Sequence, residues 1–272
     1  MKVSISQFKS TASIPDNLEV IKRHISDAAE SGARLIVFPE ASMIAYETSG
    51  QELVAITRDS TAPFVQAVCD EALRHAIHVF IGIYEPYDDM RTKNTILHID
   101  DVGVVQGRYE KIHLYDAFSF VESEKNKPGD LLAEHAEVYV AAIDGIQFGI
   151  LNCYDLRFPE ISRIAVDKGA DVLVYSAGWI AGSLKEMHWE TLLKARAIEN
   201  TCFAVASCQP PPTSVGMSML IDPSGLVVAG MAEQTGVVTA EIGMHRLAEV
   251  RKHLPCLEHR RYAIAAWKKG EE

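Results

Sequence analysis

The stretch QFGILNCYDLRFPE, residues 147–160, decides how this chain is interpreted. Its first part, from Phe148 to Leu151, is typical of a short apolar strand. Pro159 suits the first turn of a helix, because its missing N–H would have no partner there. Cys153 therefore falls at a strand-to-helix corner, beside backbone N–H groups that we expect to favour a thiolate and to hold an oxyanion.

A similar arrangement occurs in both halves of the chain. Residues 32–38 (GARLIVF) and 169–175 (GADVLVY) each place Gly-Ala after a helical pattern and before a short apolar strand. A single match of this length is weak evidence for duplication, but it favours two strands that lie centrally in sheets covered by helices. Strand and helix patterns alternate along the chain, which predicts an α/β fold.

The spacing of apolar residues predicts the remaining elements. Asp144-Gly145 is a hairpin turn signal between two strands. Helices, the second of them opened by Pro63, are expected over residues 16–31, 63–76, 159–168 and 185–200. The chain length of 272 residues allows one α/β domain or two smaller ones, but no linker divides it. We expect one domain over residues 1–272, with a basic, aromatic tail from about Pro255 packed on the surface or on a partner subunit.

Composition limits the partners that this protein binds. The net charge is −11, with 26 Lys and Arg against 37 Asp and Glu, which argues against nucleic acid or an anionic membrane. No secretory signal and no run long enough to span a membrane are expected. Five scattered cysteines without a CxxC fit a reduced, cytoplasmic setting. No cluster of metal ligands is visible, so we expect no metal and no cofactor.

Three ionisable side chains follow predicted strands. Glu40 comes just after the strand of residues 34–38, Lys111 follows residues 103–109, and Cys153 follows the apolar run of the stretch quoted above. Taken singly, each is more often a solvated loop residue or a small buried hydrophobe. Together, a nucleophile, a base and a cation supply what acyl transfer through a thioester requires.

Several motifs resemble the nitrilase superfamily of carbon–nitrogen hydrolases, and in particular its Nit branch of small amidases. They appear in the same order along the chain and extend over most of it. The motifs are FPE (38–40), YEKIHL (109–114), NCYDLRFPE (152–160) and HWExLLxARAIEN (188–200).

The resemblance implies a four-layer αββα sandwich that pairs into a homodimer or a higher homo-oligomer. It assigns Glu40 as the general base and Cys153 as the nucleophile. Lys111 and the backbone N–H of Tyr154 would hold the oxyanion. The second glutamate of the family corresponds to Glu122, which we prefer to its neighbour Glu124 because of the spacing to the Pro-Gly that follows.

Residues that contact the substrate are harder to predict. Tyr46 lies in the loop after Glu40, and Trp179 lies in the loop after the strand of residues 171–175. Both loops should open at the same sheet ends as Cys153, where aromatic side chains often line a pocket. They could equally be core or dimer aromatics. Arg157 and Glu160 are expected to form ion pairs that hold the corner after Cys153.

The resemblance favours hydrolysis of a small-molecule amide that carries a carboxylate, with release of ammonia. An N-carbamoyl compound or a nitrile is the alternative within the family. A noncatalytic binding protein that retains the fold, or a redox-sensing thiol protein, is the alternative outside it. The joint presence of Glu40, Lys111 and Cys153 argues against the first of these, and the lack of an obvious resolving cysteine near Cys153 argues against the second.

Overall fold

The computed structural model describes residues 1–118 and 120–265. The helices are α1 (Ile14–Glu30), α2 (Gly50–His75), α3 (Pro159–Asp167), α4 (Lys185–Asn200) and α5 (Met244–His253). The strands are β1 (Lys2–Gln7), β2 (Leu35–Val37), β3 (His78–Pro86), β4 (Thr92–Ile99), β5 (Val105–Glu110), β6 (Asp116–Ala117), β7 (Phe120–Val121), β8 (Val140–Ile143), β9 (Ile146–Asn152), β10 (Val172–Ala177), β11 (Phe203–Cys208), β12 (Met219–Ile221), β13 (Val227–Gly230) and β14 (Gly236–Glu241).

Two six-stranded sheets make up most of the fold. The first has the order β14-β1-β2-β3-β4-β5, and the second has the order β13-β12-β11-β10-β9-β8. In each sheet three central strands run parallel and the outer strands are antiparallel. The two helix–Gly-Ala–strand stretches lead into β2 and β10, both of which are central, as the sequence predicted.

The two sheets face each other across a shared apolar core. Leu35 and Val37 of β2 point into that core, whereas Ile36 points the other way, against α1 and α2. Phe80 of β3 meets Phe148 of β9 edge to face, with ring centroids 6.0 Å apart. Helices α3 and α4 cover the outer face of the second sheet. These four layers confirm the predicted αββα sandwich.

The second predicted helix is longer than expected. Instead of beginning at Pro63, α2 begins at Gly50, after Ser49, whose hydroxyl accepts a hydrogen bond from the backbone N–H of Glu52. Pro63 lies within α2 on its exposed side. Because proline has no N–H, the backbone carbonyl of Asp59, one turn earlier, has no helical hydrogen-bond donor. Asp59 is exposed, so water can donate to that carbonyl instead.

The described part of the C-terminal tail contacts its own chain. Arg260 forms an ion pair with Asp167 at the end of α3, at 2.6 Å, whereas Tyr262 is exposed. Residues 266–272 of the predicted tail lie outside the described residues. None of the helices in the described ranges combines the length and the apolar run that crossing a membrane requires.

Candidate active site

Glu40 lies in the turn that leaves β2, between the two sheets. Its Oε1 accepts a hydrogen bond from Lys111 Nζ at 2.8 Å, and its Oε2 accepts one from the backbone N–H of Gly178 at 2.8 Å. The turn presses against β3 at Gly82, where a Cβ would come within 2.6 Å of Pro39 O and 2.7 Å of the Glu40 Cα. Only glycine allows this approach, so Gly82 fixes where Glu40 stands.

Lys111 follows β5 and is only 2% exposed. Its ammonium is 2.8 Å from Glu40 Oε1 and 2.8 Å from Glu122 Oε2. Glu122 is buried in a short 3₁₀ turn, and its Oε2 also accepts the backbone N–H of Tyr115. Of the two candidate glutamates, Glu122 and not Glu124 contacts the lysine.

Cys153 directly follows β9 and is buried, with a φ of 47°. The corner is less direct than the sequence suggested, because a 3₁₀ turn, Cys153–Arg157, separates the strand from α3. Asp155 stabilises this turn, since its Oδ2 accepts hydrogen bonds from the backbone N–H of Asn152 and from the Tyr109 hydroxyl. Cys153 is thereby held at the end of a strand of the second sheet, in the pocket that Glu40 and Lys111 also line.

The charges in this cluster are strongly interdependent. Burial alone would raise the pKa of the Glu40 carboxyl, but Lys111 and the hydrogen bonds from Gly178 and Cys153 hold it below its ordinary value. Burial would lower the pKa of Lys111, yet Glu122 and Glu40 raise it well above the usual range. The structure therefore favours an ionised carboxylate beside an ammonium.

The thiol behaves differently from what its position in the sequence suggested. Burial and the neighbouring Glu40 carboxylate raise the pKa of Cys153 well above the usual range, although Lys111 opposes them. The strand-to-helix corner was expected to favour a thiolate, and burial together with the Glu40 carboxylate opposes that effect. The resting site holds a neutral thiol hydrogen-bonded to a carboxylate that can accept its proton.

Sequence analysis missed Asn94, which lies on β4. Its Nδ2 donates to Glu40 Oε1 at 2.8 Å and to Glu122 Oε1 at 3.0 Å. Its Oδ1 accepts a hydrogen bond from Asn152 Nδ2 at 2.9 Å. The available signal was an asparagine two residues before the apolar pair Ile96-Leu97 of a predicted strand, since a polar side chain that a strand buries needs partners.

A pocket opens above these residues, with about 460 Å³ of space free of protein atoms, including its mouth. Tyr46, Tyr154 and Trp179 all line it. The Tyr46 hydroxyl donates to Thr213 O at 3.2 Å. Trp179 also packs against Trp189, with ring centroids 5.2 Å apart, so it belongs to the core as well as to the pocket wall.

Three further cations line the pocket that sequence analysis did not place there, and one of them is Lys125. Lys185 is the first residue of α4, and Arg157 ends the 3₁₀ turn. The expected ion pair between Arg157 and Glu160 does not occur in the described residues. The guanidinium instead lies over the Trp179 ring, 4.5 Å from its centroid.

His113, close to Lys111 in sequence, is not part of the pocket wall. Its Nδ1 is hydrogen-bonded to Asp155 Oδ1 at 2.7 Å, and its ring stacks on Phe158 at 3.7 Å. It therefore supports the turn that carries Cys153. Within residues 1–118 and 120–265, no group of three or more His, Cys, Asp or Glu is arranged to hold a metal ion.

Comparison with known proteins agrees with this geometry. A sequence model of the family described as "Carbon-nitrogen hydrolase" matches residues 2–252. A deaminated glutathione amidase of Escherichia coli O157:H7 is 34% identical over 97% of this chain and 98% of its own length. A protein of the same name from a Synechocystis strain is 33% identical over 93% of this chain and 96% of its own.

Solved structures share the fold. The Caenorhabditis elegans NitFhit protein superposes with a TM-score of 0.88 at 29% identity over 96% of this chain, which spans 65% of that longer protein. An amidase from Nesterenkonia sp. superposes with a TM-score of 0.80 at 22% identity, over 94% of this chain and 95% of its own. The chain thus belongs to the carbon–nitrogen hydrolase family, within the nitrilase superfamily. It is an enzyme of that class, with relatives among the amidases.

Proposed function

We propose that this protein hydrolyses a small, linear, carboxylate-bearing amide and releases ammonia through a thioester on Cys153. The observation that carries the proposal is the convergence of buried Cys153, Glu40 and Lys111 on one pocket, where Lys111 Nζ lies 2.8 Å from Glu40 Oε1. The names of the amidase relatives support the reaction class.

In the first step, Cys153 loses its proton only as its sulfur attacks the substrate. Glu40 accepts the thiol proton as the sulfur of Cys153 attacks the amide carbonyl, so that no isolated thiolate has to form in the buried site. Negative charge then develops on the carbonyl oxygen. The Lys111 ammonium and the backbone N–H of Tyr154 hold that oxygen, and loss of one such donor typically costs about 3 kcal/mol of transition-state stabilisation.

The second half of the reaction returns the proton. The C–N bond breaks as Glu40 gives its proton to the departing nitrogen, which leaves as ammonia, while the acyl group stays on Cys153. Glu40 then takes a proton from water, whose oxygen attacks the thioester. The C–S bond breaks, the thiol regains the proton from Glu40, and the acid product departs. Glu122 keeps Lys111 charged and in position throughout.

A single domain over residues 1–272, a homodimer or higher homo-oligomer and a cytoplasmic location are also part of this proposal. Buried thiols such as Cys202 and Cys208 fit a reducing compartment. Leu73 on α2 and Ile198 on α4 are 58% and 45% exposed, and pairing through the outer helices would bury such side chains. Analytical ultracentrifugation measures the assembly directly.

The test combines product and intermediate. The purified protein is incubated with a panel of small amides, ammonia is measured, and intact-protein and peptide mass spectrometry are used to find an acyl adduct on Cys153. Cys153→Ala should abolish turnover without changing the circular dichroism spectrum. Ammonia release at the wild-type rate by that variant would refute the assigned nucleophile. Release of carbon dioxide from N-carbamoyl compounds, or turnover of nitriles alone, would show that the protein catalyses a different reaction of the family.

A further inference from the structure

A chain of hydrogen bonds joins the two sheets at the end of the sandwich opposite the active site. His78 Nδ1 lies 3.1 Å from His98 Nε2, and His98 Nδ1 lies 3.0 Å from the Tyr139 hydroxyl. The two histidines belong to β3 and β4 of the first sheet, whereas the Tyr139 carbonyl accepts a hydrogen bond from Ile150 on β9 of the second sheet. His78, His98 and Tyr139 are called the latch below.

Strands that lead to the active site begin near the latch. Arg34 precedes β2 and Glu40 follows it, and in the same way Asp144 precedes β9 and Cys153 follows it. The Arg34 guanidinium also bridges the sheets at this end, because its Nε donates to Asp144 Oδ2 at 2.9 Å and its Nη2 donates to Asp101 Oδ2 at 3.0 Å. The hairpin between β8 and β9 is thus held to the first sheet by this bridge and by the latch.

The first sheet is shaped to admit the tyrosine. Gly107 on β5 is the partner of His98 in the strand register, and a Cβ there would come within 2.3 Å of Tyr139 Cζ and 2.7 Å of its hydroxyl oxygen. Only glycine lets the ring pass over β5 to reach the histidine. His98 is 3% exposed and meets the Phe80 ring edge to face, with centroids 5.0 Å apart, so its ring has little access to water.

The neutral latch has one consistent arrangement of hydrogens. His78 Nε2 faces Asp101 Oδ1 at 3.8 Å, and an ionised carboxylate only accepts, so this nitrogen carries the hydrogen of the ring. His78 Nδ1 is then an acceptor, and His98 Nε2 donates to it. The Tyr139 hydroxyl in turn donates to His98 Nδ1.

A first added proton reverses this chain without breaking it. His78 then donates from Nδ1 to His98 Nε2, and His98 donates from Nδ1 to the Tyr139 oxygen, which also has lone pairs. A second proton places a hydrogen on both of the facing nitrogens, which are 3.1 Å apart and then have no lone pair to share. The two rings, both charged, have to separate.

We propose that the latch is an acid-sensitive device that controls how the two sheets dock: a second proton on the histidine pair separates His78 from His98 and releases Tyr139, with the β8–β9 hairpin, from the first sheet. Because β9 leads from this hairpin to Cys153, release loosens the strand that precedes the cysteine. The inference does not depend on which reaction the protein catalyses.

The surroundings of the pair set the direction of the effect. Burial lowers the pKa of both histidines, that of His98 to about 4, so the latch is neutral and closed near pH 7. An exposed histidine has a pKa near 6.5, so the released form binds protons more strongly than the closed form and acid favours release. Arg34 opposes a proton on His78, and the carboxylates favour one. The charged groups that face the pair are Arg34, Asp100, Asp101 and Asp144.

Hydrogen exchange measured by mass spectrometry follows the release between about pH 7.5 and about pH 5, above the ordinary carboxyl range. Rates are corrected for the intrinsic pH dependence of exchange. The opening constant of residues 139–147 should rise about 30-fold or more, because a histidine that stays neutral only in the closed form contributes up to about 10-fold per pH unit below its ordinary pKa. His98→Gln, which takes up no proton, should remove about 10-fold or more of that rise.

His24→Gln is the matched control. His24 is also buried, with its pKa lowered to about 4 and its Nδ1 bonded to the Ser6 hydroxyl, but it lies on α1, away from the latch. This variant should leave the rise in the hairpin unchanged. Tyr139→Phe removes the hydroxyl of the latch and should increase hairpin opening even near pH 7, while β11 stays protected.

Strand β11, in the middle of the second sheet, reports unfolding of the whole protein. If the hairpin gains exchange equally in His98→Gln and in the wild-type protein, protonation of the pair does not release it and the proposal is refuted. The same conclusion follows if β11 gains exchange by the same factor as the hairpin. No substrate is used, so the result is separate from the test of amide hydrolysis.

Discussion

Asn94, on the first sheet, accepts a hydrogen bond from the side chain of Asn152, on the second sheet, at 2.9 Å. The amide of Asn94 also donates to both buried glutamates. The Asn94 side chain therefore connects the strand that precedes Cys153 with the two carboxylates that surround Lys111.

Replacing Asn94 by leucine keeps its approximate size and removes both donors. The ionised forms of Glu40 and Glu122 each lose a hydrogen bond, so the pKa of Glu40 should rise and the acid limb of kcat/KM should move to higher pH. The profile is measured with a neutral amide. Asn200→Leu, in the core near the end of α4, is the control: it can lower stability but should leave the limb where it is. If the acid limb of kcat/KM lies at the same pH in Asn94→Leu as in the wild-type protein, Asn94 does not act on Glu40 in this way.

Gly82 lies on β3, and Gly82→Ala should displace the turn that carries Glu40. The added Cβ would meet backbone atoms of residues 39–41 at 2.6–2.7 Å, and backbone cannot swing aside as a side chain can. We expect a loss of about 1–3 kcal/mol in the free energy of unfolding and a fall in kcat as Glu40 shifts. Gly243→Ala, where nothing lies within 4 Å of the new Cβ, should be nearly neutral in both. Denaturant titration and steady-state kinetics measure the two effects.

Lys111→Met should unfold more easily than any other single variant of the charged cluster. It leaves Glu40 and Glu122 buried without their shared cation, and breaking such a pair costs about 3–5 kcal/mol. Adding Glu122→Gln removes one of the two uncompensated charges, so the double variant should regain part of that stability while remaining inactive. If the double variant is less stable than Lys111→Met, the uncompensated charge of Glu122 is not the cause of the lost stability.

The pH profile distinguishes a thiol activated by Glu40 from a preformed thiolate. In the proposed mechanism, the reactive form has Glu40 ionised and Cys153 protonated. Because the pKa of Glu40 is lowered from 4.5 and that of Cys153 is raised well above 9.0, this form prevails at every pH between those values. Activity on a neutral amide should thus be flat from about pH 5 to about pH 8.5, and fall only below the ordinary carboxyl range. A tenfold rise per pH unit toward pH 9 would instead indicate a thiolate mechanism.

Much of the architecture could be predicted because it follows from local pattern. The Gly-Ala boundaries and the apolar runs identified β2 and β10 as central strands. The position of Glu40, Lys111 and Cys153 after strands was enough to expect their convergence, since strand ends of facing sheets open on one cavity. The start of α2 was missed, because a proline is a reliable first-turn residue and its tolerance at Pro63 depends on exposure that only the folded chain defines.

The rest of the site depends on contacts between segments distant in sequence. Nothing near Lys185 in the sequence distinguishes it from a surface lysine at the start of a helix. Its burial results from Tyr115 and Phe118, about 70 residues earlier, which approach it in space. The same holds for Arg157, whose sequence neighbour Glu160 offered a plausible partner that the fold replaces with Trp179.

The division of the site between the sheets has a practical consequence. Residues 131–137 form a largely exposed connection, with Glu40 and Lys111 on one side of it in the sequence and Cys153 on the other. Two separately produced fragments divided there would each carry an incomplete set of reactive groups. The C-terminal fragment also contains β14, which pairs with β1 of the N-terminal fragment. Reassembly therefore has to restore this strand pairing as well as the contact between the sheets. Recovery of amide turnover on mixing would therefore be a direct assay of how well the two sheets dock.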